Sequence, residues 1–229
     1  MKKAIVILLG AMTFLMMPLN SWGQNSFKQT LKTAKKGDAL AQTKVGNSYF
    51  YGKGVKQSYK KAVKWYRKAA MNDNAVAQFN LGVSYFFGDG VKQSYEKAVE
   101  WFSKAADQEH PKAWFFLGYC HTKGFGVEMS EVSAADYYRR AANLGDAEAQ
   151  NNLGCCYFNG YGSLRYNYEI GVEWFEKAAE QGFALAQYNL GNIYKEGFGV
   201  RTDRERAKQY FRMAADQGYE PAIHALERF

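Results

Sequence analysis

Residues that build reactive or cross-linked sites are scarce in this sequence. Among its 229 residues there are only three cysteines and three histidines. Three cysteines are too few for the disulfide framework of a small exported protein, and an odd number cannot be fully paired. The histidines, which are His110, His121 and His224, follow no spacing that is typical of a metal site. We therefore expect the protein to use no metal and no cofactor.

A catalytic pair is also hard to assemble from these residues. Cys120 and His121 are adjacent in the sequence. Consecutive side chains on a helix point about 100° apart, which is a poor geometry for a base that must reach a nucleophile. His110 is expected at a helix junction and His224 in the final helix. The sequence thus predicts no catalytic residue and a protein that is not an enzyme.

Long apolar runs are absent after the first residues. Residues 4–17 are mostly apolar, follow Lys2 and Lys3, and precede Pro18 and the small residues Ser21 and Gly23. This order is typical of a secretory signal, and the run is shorter than the roughly 20 residues that cross a bilayer. We expect residues 1–23 to be removed and the mature chain to be periplasmic or secreted, without a stable membrane span. An uncleaved membrane anchor is the alternative.

Acidic residues are almost missing from the first part of the mature chain. Residues 24–70 hold twelve Lys and Arg against the single acid Asp38, whereas residues 71–229 hold 16 basic and 21 acidic residues. This asymmetry favours an acidic partner, or an envelope surface of anionic glycan or lipid headgroups. The simpler interpretation is a solvated outer face. Nucleic acid is disfavoured because the chain is expected to be exported.

Signals for strands and for interdomain linkers are lacking, and an internal repeat takes their place. Residues 51–70 and 87–106 are nearly identical, and a leucine–glycine or valine–glycine pair recurs at intervals of 36, 36, 36 and 37 residues. Such a period predicts a stack of supersecondary units. The units one to five are residues 39–74, 75–110, 111–146, 147–183 and 184–219.

Each unit is predicted to contain two helices. Ala39, Gln42, Val45 and Tyr49 recur at helical steps, and the glycine after Val45 indicates close approach of a neighbouring helix. A Gly-x-Gly step then ends the first helix. The second helix of every unit follows a residue that can cap it. These capping residues are Ser58, Ser94, Ser130, Asn167 and Asp203. The one extra residue in the 37-residue interval falls in the loop before Asn167.

The two ends of the chain are expected to close the stack, as solenoids require. Residues 24–37 align with a second helix and predict an N-terminal capping helix. Residues 220–229 align with a first helix and predict a C-terminal capping helix. The expected fold is all-α, a single α-solenoid domain that spans residues 24–229.

The pattern Ala-x-Ala-Gln-x-x-Leu-Gly-x-x-Tyr-x-x-Gly-x-Gly-Val, followed by Lys-Ala-x-x-Trp-Tyr-x-Lys-Ala-Ala, resembles the Sel-one-like repeat. This family is a relative of the tetratricopeptide repeat with a longer loop between its helices. The resemblance implies a right-handed superhelix that serves as a non-catalytic scaffold for protein–protein interaction. Unit three departs most, with Trp114 at the glutamine place and His121 at the tyrosine place. Unit four has Ser163 for valine and Gly171 for alanine.

A cysteine-rich branch of the same family, with β-lactam-hydrolysing members, is an unfavoured alternative. Its paired cysteines would fall at places that are not cysteine here. These places are Ala70 and Gln78, Ala106 and Trp114, Ala142 and Gln150, and Ala179 and Gln187. The three cysteines that are present, Cys120, Cys155 and Cys156, are predicted to stay unpaired as small packing residues.

Partner binding is expected on the face of the first helices that lines the concave surface in tetratricopeptide relatives. This face is aromatic in units one to three, and exposed apolar clusters mark binding sites. Phe79, Phe87 and Tyr119 are the predicted anchors of a protein or peptide partner, and two lysines favour an acidic one. The full predicted set is Lys44, Asn47, Tyr51, Phe79, Phe87, Phe115, Tyr119 and Lys123. The alternative is that Phe50, Tyr51, Phe86 and Phe87 are buried under the Gly-x-Gly loops. Oligomeric state stays open.

Overall fold

The computed structural model describes residues 21–162 and 164–229, with side chains from residue 26 onward. Within these ranges the chain forms twelve α-helices and no strand, which confirms the predicted all-α repeat fold. Residues 1–20, which hold most of the predicted signal, lie outside them. The helices are α1 Ser21–Lys35, α2 Ala39–Tyr51, α3 Tyr59–Met71, α4 Ala75–Phe87, α5 Tyr95–Ala106, α6 Pro111–Lys123, α7 Glu131–Asn143, α8 Ala147–Asn159, α9 Tyr168–Glu180, α10 Ala184–Glu196, α11 Arg204–Ala215 and α12 Glu220–Glu227.

The helices pack in the order in which they occur in the sequence. In the part of the chain described, every extensive helix–helix contact joins consecutive helices, from α1 on α2 to α11 on α12. The two helices of one unit contact each other more extensively than they contact the neighbouring units. The molecule is therefore a solenoid in which each unit depends mainly on its neighbours. None of the described helices combines the length and the apolar character that a membrane crossing requires.

Helix ends follow the predicted capping chemistry. Each second helix begins after a side chain that accepts a hydrogen bond from a first-turn amide, as Asp203 does from the Arg206 amide at 2.9 Å. The same contact is made by Ser58, Ser94, Ser130 and Asn167. Each first helix ends at a glycine with positive φ, from 65° at Gly160 to 81° at Gly88 and Gly197. These glycines reverse the chain at little steric cost.

The glycine inside each first helix makes room for an aromatic ring. A Cβ added at Gly46 would lie 2.5 Å from the Tyr66 ring, and one added at Gly82 would lie 2.6 Å from the Phe102 ring. The equivalent rings of all five units are buried. They are Tyr66, Phe102, Tyr138, Phe175 and Phe211. The repeated glycine and the repeated ring therefore form one packing contact, as the close-approach prediction requires.

A buried glutamine links each first helix to the helix before it. The Gln78 amide nitrogen donates to the Ala70 carbonyl at 3.3 Å, and Gln42, Gln150 and Gln187 make the equivalent bond. In the cysteine-rich branch of the family, the places of Ala70 and Gln78 would hold a disulfide. In this protein the hydrogen bond from Gln78 to the Ala70 carbonyl joins the two helices at that place. In unit three Trp114 replaces the glutamine and stacks on Tyr137 at 5.6 Å between ring centroids.

Candidate partner-binding groove

A groove of about 570 Å³ crosses the first helices of units two to five. It starts at the end of α4, passes over α6 and the first half of α8, and reaches the start of α10. The turns that precede α10 and α12 form its far side. The residues that line this groove are Phe86, Phe87, Phe115, Phe116, Tyr119, Glu148, Asn152, Gln181, Gly182, Phe183, Ala184, Leu185, Gln217 and Tyr219.

One side of the groove is a cluster of aromatic rings. The Phe86 ring is 6% exposed and lies 5.0 Å from the Phe87 ring and 5.7 Å from the Phe116 ring, between centroids. Phe115 is also buried, whereas Phe87 is 44% exposed and Tyr119 is half-buried. Burial raises the pKa of the Tyr119 hydroxyl. The cluster thus has a buried floor with Phe87 and Tyr119 accessible above it.

The opposite side of the groove presents hydrogen-bond acceptors. The Gln181 amide nitrogen donates to the Gln150 side-chain oxygen, and that of Gln217 donates to the Gln187 side-chain oxygen, each at 2.8 Å. The Gln181 amide uses one of its two N–H groups in this bond, and the Gln217 amide also donates to the Met213 carbonyl at 3.2 Å. Since an amide side chain carries two donors and an acceptor oxygen, these bonds fix the position of the turn glutamines. The Gln181 and Gln217 side-chain oxygens remain available to a bound molecule.

An ion-pair cluster gives the groove a negative charge. Lys112 lies 2.9 Å from the Glu148 carboxylate and 3.1 Å from the buried Asp146 carboxylate, and its ammonium is 5.3 Å from the centre of the Phe115 ring. Burial alone would lower the pKa of Lys112, but the two carboxylates raise it. One cation between two anions leaves a net charge of about −1. Glu148 is the member of this net negative cluster that lines the groove.

Of the eight residues predicted for partner binding, the structure brings three into the groove. Phe87 and Tyr119 lie on its accessible rim, and Phe115 forms part of its floor. Because Phe115 is only 8% exposed, it supports the other rings more than it offers contact area. Of the four residues that the alternative buries under the loops, Phe86 is buried, Phe50 is half-buried, and Tyr51 and Phe87 are exposed.

Phe79 and Asn47 are half-buried and make contacts within the protein, which does not fit their prediction as accessible partner-binding residues. The Phe79 ring stacks on His110 at 4.7 Å and lies 5.6 Å from Phe116, packed against the core cluster of units two to four. Asn47 accepts hydrogen bonds from the Tyr66 hydroxyl at 2.8 Å and from the Asn80 amide at 3.2 Å. Both side chains lie on the predicted helix face, and the next unit contacts each of them.

Lys44, Tyr51 and Lys123 are exposed but lie outside the groove. Lys44 borders a small cleft against α1, and Lys123 borders a second cavity of about 670 Å³ between α6, α7 and α8. Tyr51 is 52% exposed at the end of α2, with the Lys53 ammonium 5.5 Å from its ring centre. The two lysines were the reason to expect an acidic partner in the groove, and the structure removes that reason.

Comparison with known proteins places this geometry in a family. The family model of the Sel1 repeat matches residues 39–74, 75–110, 111–146, 147–183 and 184–219. The protein belongs to the Sel1 repeat family. Sel1 repeat proteins are scaffolds that typically mediate protein–protein interaction, and most of them are not catalytic.

Solved structures of Sel1 repeat proteins share the fold. A Sel1 repeat protein from Oxalobacter formigenes is 31% identical, with a TM-score of 0.79, over 90% of this chain and 87% of that one. A protective antigen present in uropathogenic Escherichia coli strains, which displays an SLR fold, is 35% identical, with a TM-score of 0.80. That match covers 89% of this chain and 43% of the antigen, so this chain spans less than half of that longer relative. No curated protein matches the chain.

Several groove residues of this Sel1 repeat protein were missed by the sequence analysis. Phe116 and Asn152 occupy one row of the first helices, one residue beyond the predicted Phe115 row. Gln181 and Gln217 belong to turns that the helix-face argument ignored. Their signal was a glutamine that recurs after the double alanine, at 108, 181 and 217. A search of the turns as well as of the helices would have found them.

The cysteines of this Sel1 repeat protein behave as packing residues. All three are unpaired, as predicted, with Cys120 and Cys156 buried. Burial raises the pKa of Cys120 and Cys156 to about 12 and that of Cys155 to about 11. Since the thiolate is the reactive form, these thiols are poor nucleophiles at neutral pH. In the described residues no group of three or more His, Cys, Asp and Glu side chains could hold a metal ion.

Proposed function

We propose that this protein is an exported, non-catalytic scaffold that binds an extended segment of a partner protein in the groove. The observation that carries the proposal is the accessible pair Phe87 and Tyr119 above a buried aromatic floor. Aromatic residues that rest on a packed base are favourable interface anchors, because their rotamers are already restricted before binding. The opposite wall offers the side-chain oxygens of Gln181 and Gln217 as acceptors.

The chemistry of the groove favours an apolar segment that carries donors or basic residues. Phe87 and Tyr119 would contact aliphatic or aromatic side chains of the partner. Glu148, together with the side-chain oxygens of Gln181 and Gln217, would accept hydrogen bonds from backbone amides, lysine or arginine. A carboxylate on the partner would meet the Glu148 charge at short range, and like charges across an interface oppose binding.

Export is the part of the proposal that rests on the sequence. The basic start, the apolar residues 4–17 and the small residues before position 24 supply the signal pattern. The similar Escherichia coli protein is a protective antigen, a property that suits a protein outside the cytoplasm. Fractionation of the native cells, with sequencing of the mature N-terminus, tests this part. A chain that stays in the cytoplasm and begins at Met1 would overturn it.

The groove itself is tested by selection from a displayed library of random peptides. We expect selected peptides to combine apolar residues with lysine or arginine. Phe87→Ala should weaken their binding by about 2 kcal/mol, which is roughly thirtyfold. Tyr51→Ala is the matched control, because Tyr51 occupies the equivalent place in unit one and lies outside the groove. Equal losses in the two variants, or a selection dominated by acidic peptides, would contradict the proposal.

A further inference from the structure

Units one and two are close copies that differ in charge. Residues 51–70 and 87–106 differ at six of twenty positions. Three of these differences replace a lysine of unit one by an acid of unit two. The pairs are Lys53 and Asp89, Lys60 and Glu96, and Lys64 and Glu100. A fourth replaces Arg67 by Ser103. The first segment contains seven basic residues and no acid, whereas the second contains three of each.

Packing does not explain the lysines of unit one. Lys53, Lys60 and Lys64 are all exposed. The two units share the serine caps, the terminating glycines and the buried alanines, so the same fold accepts acids at these places. Lys60 and Lys64 lie one turn apart on α3, where like charges destabilise a helix slightly. The fold therefore does not require a basic residue at these positions.

The lysines of α3 lie beside a second row of lysines on α1. Phe27 of α1 packs against Tyr49 of α2, with 5.6 Å between the ring centroids, and Trp65 of α3 packs against the same buried cluster as these two residues. The Lys61 ammonium lies 5.3 Å from the centre of the same tyrosine ring. On α1, the exposed Lys28, Lys32 and Lys35 follow one another at steps of four and three residues. The two basic rows thus adjoin across Tyr49 and form one surface.

No member of this surface forms an ion pair with another described residue. The ion pairs of the described chain all involve cations from Lys112 onward. The single acid between residues 24 and 70, Asp38, caps α2 through its side chain. We call basic surface the set Lys28, Lys32, Lys35, Lys53, Lys60, Lys61, Lys64 and Arg67. Its charge is available to a partner.

We propose that the basic surface binds an anionic phospholipid bilayer. Seven of its eight members are lysines, which act as hydrated point charges, whereas a site for one carboxylate or phosphate favours the arginine fork. Charges spread over two helices and the loop after α2 suit a continuous sheet of phosphate headgroups, which attracts clustered lysines additively. The apolar residues 4–17 precede α1, so this end of the molecule is the one that meets a membrane during export. The groove lies on units two to five, so it would remain accessible to a partner while the basic surface contacts the bilayer.

Co-sedimentation of the mature chain, residues 24–229, with vesicles tests the proposal. We expect binding to vesicles that contain phosphatidylglycerol, weaker binding to pure phosphatidylcholine, and loss of the difference at high salt, where exposed charges are screened. The variant K53D/K60E/K64E carries the residues of unit two and should fold as that unit does. Its binding to phosphatidylglycerol vesicles should fall by at least about tenfold. Without residues 1–23, the apolar N-terminus does not contribute to binding in either protein.

A transposed variant separates the basic surface from net charge. K53D/K60E/K64E/D89K/E96K/E100K exchanges the residues between the units and leaves composition and net charge unchanged. Because the lysines in unit two would no longer adjoin α1, its binding should remain well below that of the natural protein. Recovery of full binding would overturn the assignment to the basic surface. So would equal binding of the triple variant, or no preference of the natural protein for phosphatidylglycerol.

Discussion

Units one and two share almost all of the residues that the fold requires, yet they present different surfaces. Gly46 and Gly82 each admit a buried ring, and Ser58 and Ser94 each cap a second helix. The exposed positions, in contrast, change from basic to acidic. This comparison teaches that the repeat is constrained inside and between units, while the outer face of each unit is free to acquire its own partner.

The same comparison applies to the aromatic residues that end α2 and α4. Tyr51 and Phe87 occupy equivalent places and are similarly exposed, at 52% and 44%. Only Phe87 lines the groove, because α6 and the turns of units four and five continue the surface beside it. A binding site in a solenoid is thus a property of neighbouring units and not of a position in the repeat.

The largest expected effect concerns three phenylalanines of unit two. Phe102 is fully buried, Phe79 is partly buried against the core, and Phe87 is exposed. Phe102→Ala should lower the free energy of unfolding by about 3–5 kcal/mol. Phe79→Ala should cost less than Phe102→Ala but at least about 1 kcal/mol, and Phe87→Ala less than about 0.5 kcal/mol. Urea denaturation measures all three. A stable Phe79→Ala variant would restore that residue as a candidate anchor.

A smaller effect is expected from the buried glutamines. The Gln78 side-chain oxygen accepts a hydrogen bond from Gln108 at 2.8 Å, whereas that of Gln42 has no partner among the described residues. The place of Gln108 in unit one is held by the shorter Asn72. Asn72→Gln should supply the missing donor and raise the free energy of unfolding by about 0.5–1.5 kcal/mol. Gln108→Asn is the reciprocal control and should destabilise. Destabilisation by Asn72→Gln, or stabilisation by Gln108→Asn, would show that the two turns differ in backbone position.

Removal of the Tyr66 hydroxyl is expected to have an effect no larger than that of the glutamine variants, because unit two has Phe102 at the same place. The hydroxyl donates to Asn47 at 2.8 Å, so Tyr66→Phe should cost about 1 kcal/mol at neutral pH. Burial raises the pKa of Tyr66. The unfolded chain therefore loses this proton first as the pH rises past about 10, and stability falls above that pH. In the Tyr66→Phe variant, the free energy of unfolding should fall less between neutral and alkaline pH. The same dependence of unfolding free energy on pH in both proteins would contradict the burial of the Tyr66 hydroxyl.

Local patterns in the sequence were sufficient to predict the fold. The glycine–aromatic contact, the caps and the helix-ending glycines each involve residues within one unit, and each recurs five times. The site was harder to predict. Gln217 and Phe87 are far apart in the sequence and reach one groove only through the packing of the units between them. The packing of Phe79 on Phe116 likewise depends on the next unit, which a single helix face does not reveal.

The central claim is that the groove on units two to five, and not the equivalent place in unit one, contacts the partner. The most direct test places a photo-crosslinking phenylalanine analogue at position 87 or at position 51 in the protein expressed in its native cells. Both side chains are exposed, so each variant should fold. The account predicts a discrete covalent adduct with one protein at position 87 and none at position 51. An adduct at position 51 alone, or the same adducts at both positions, would contradict it.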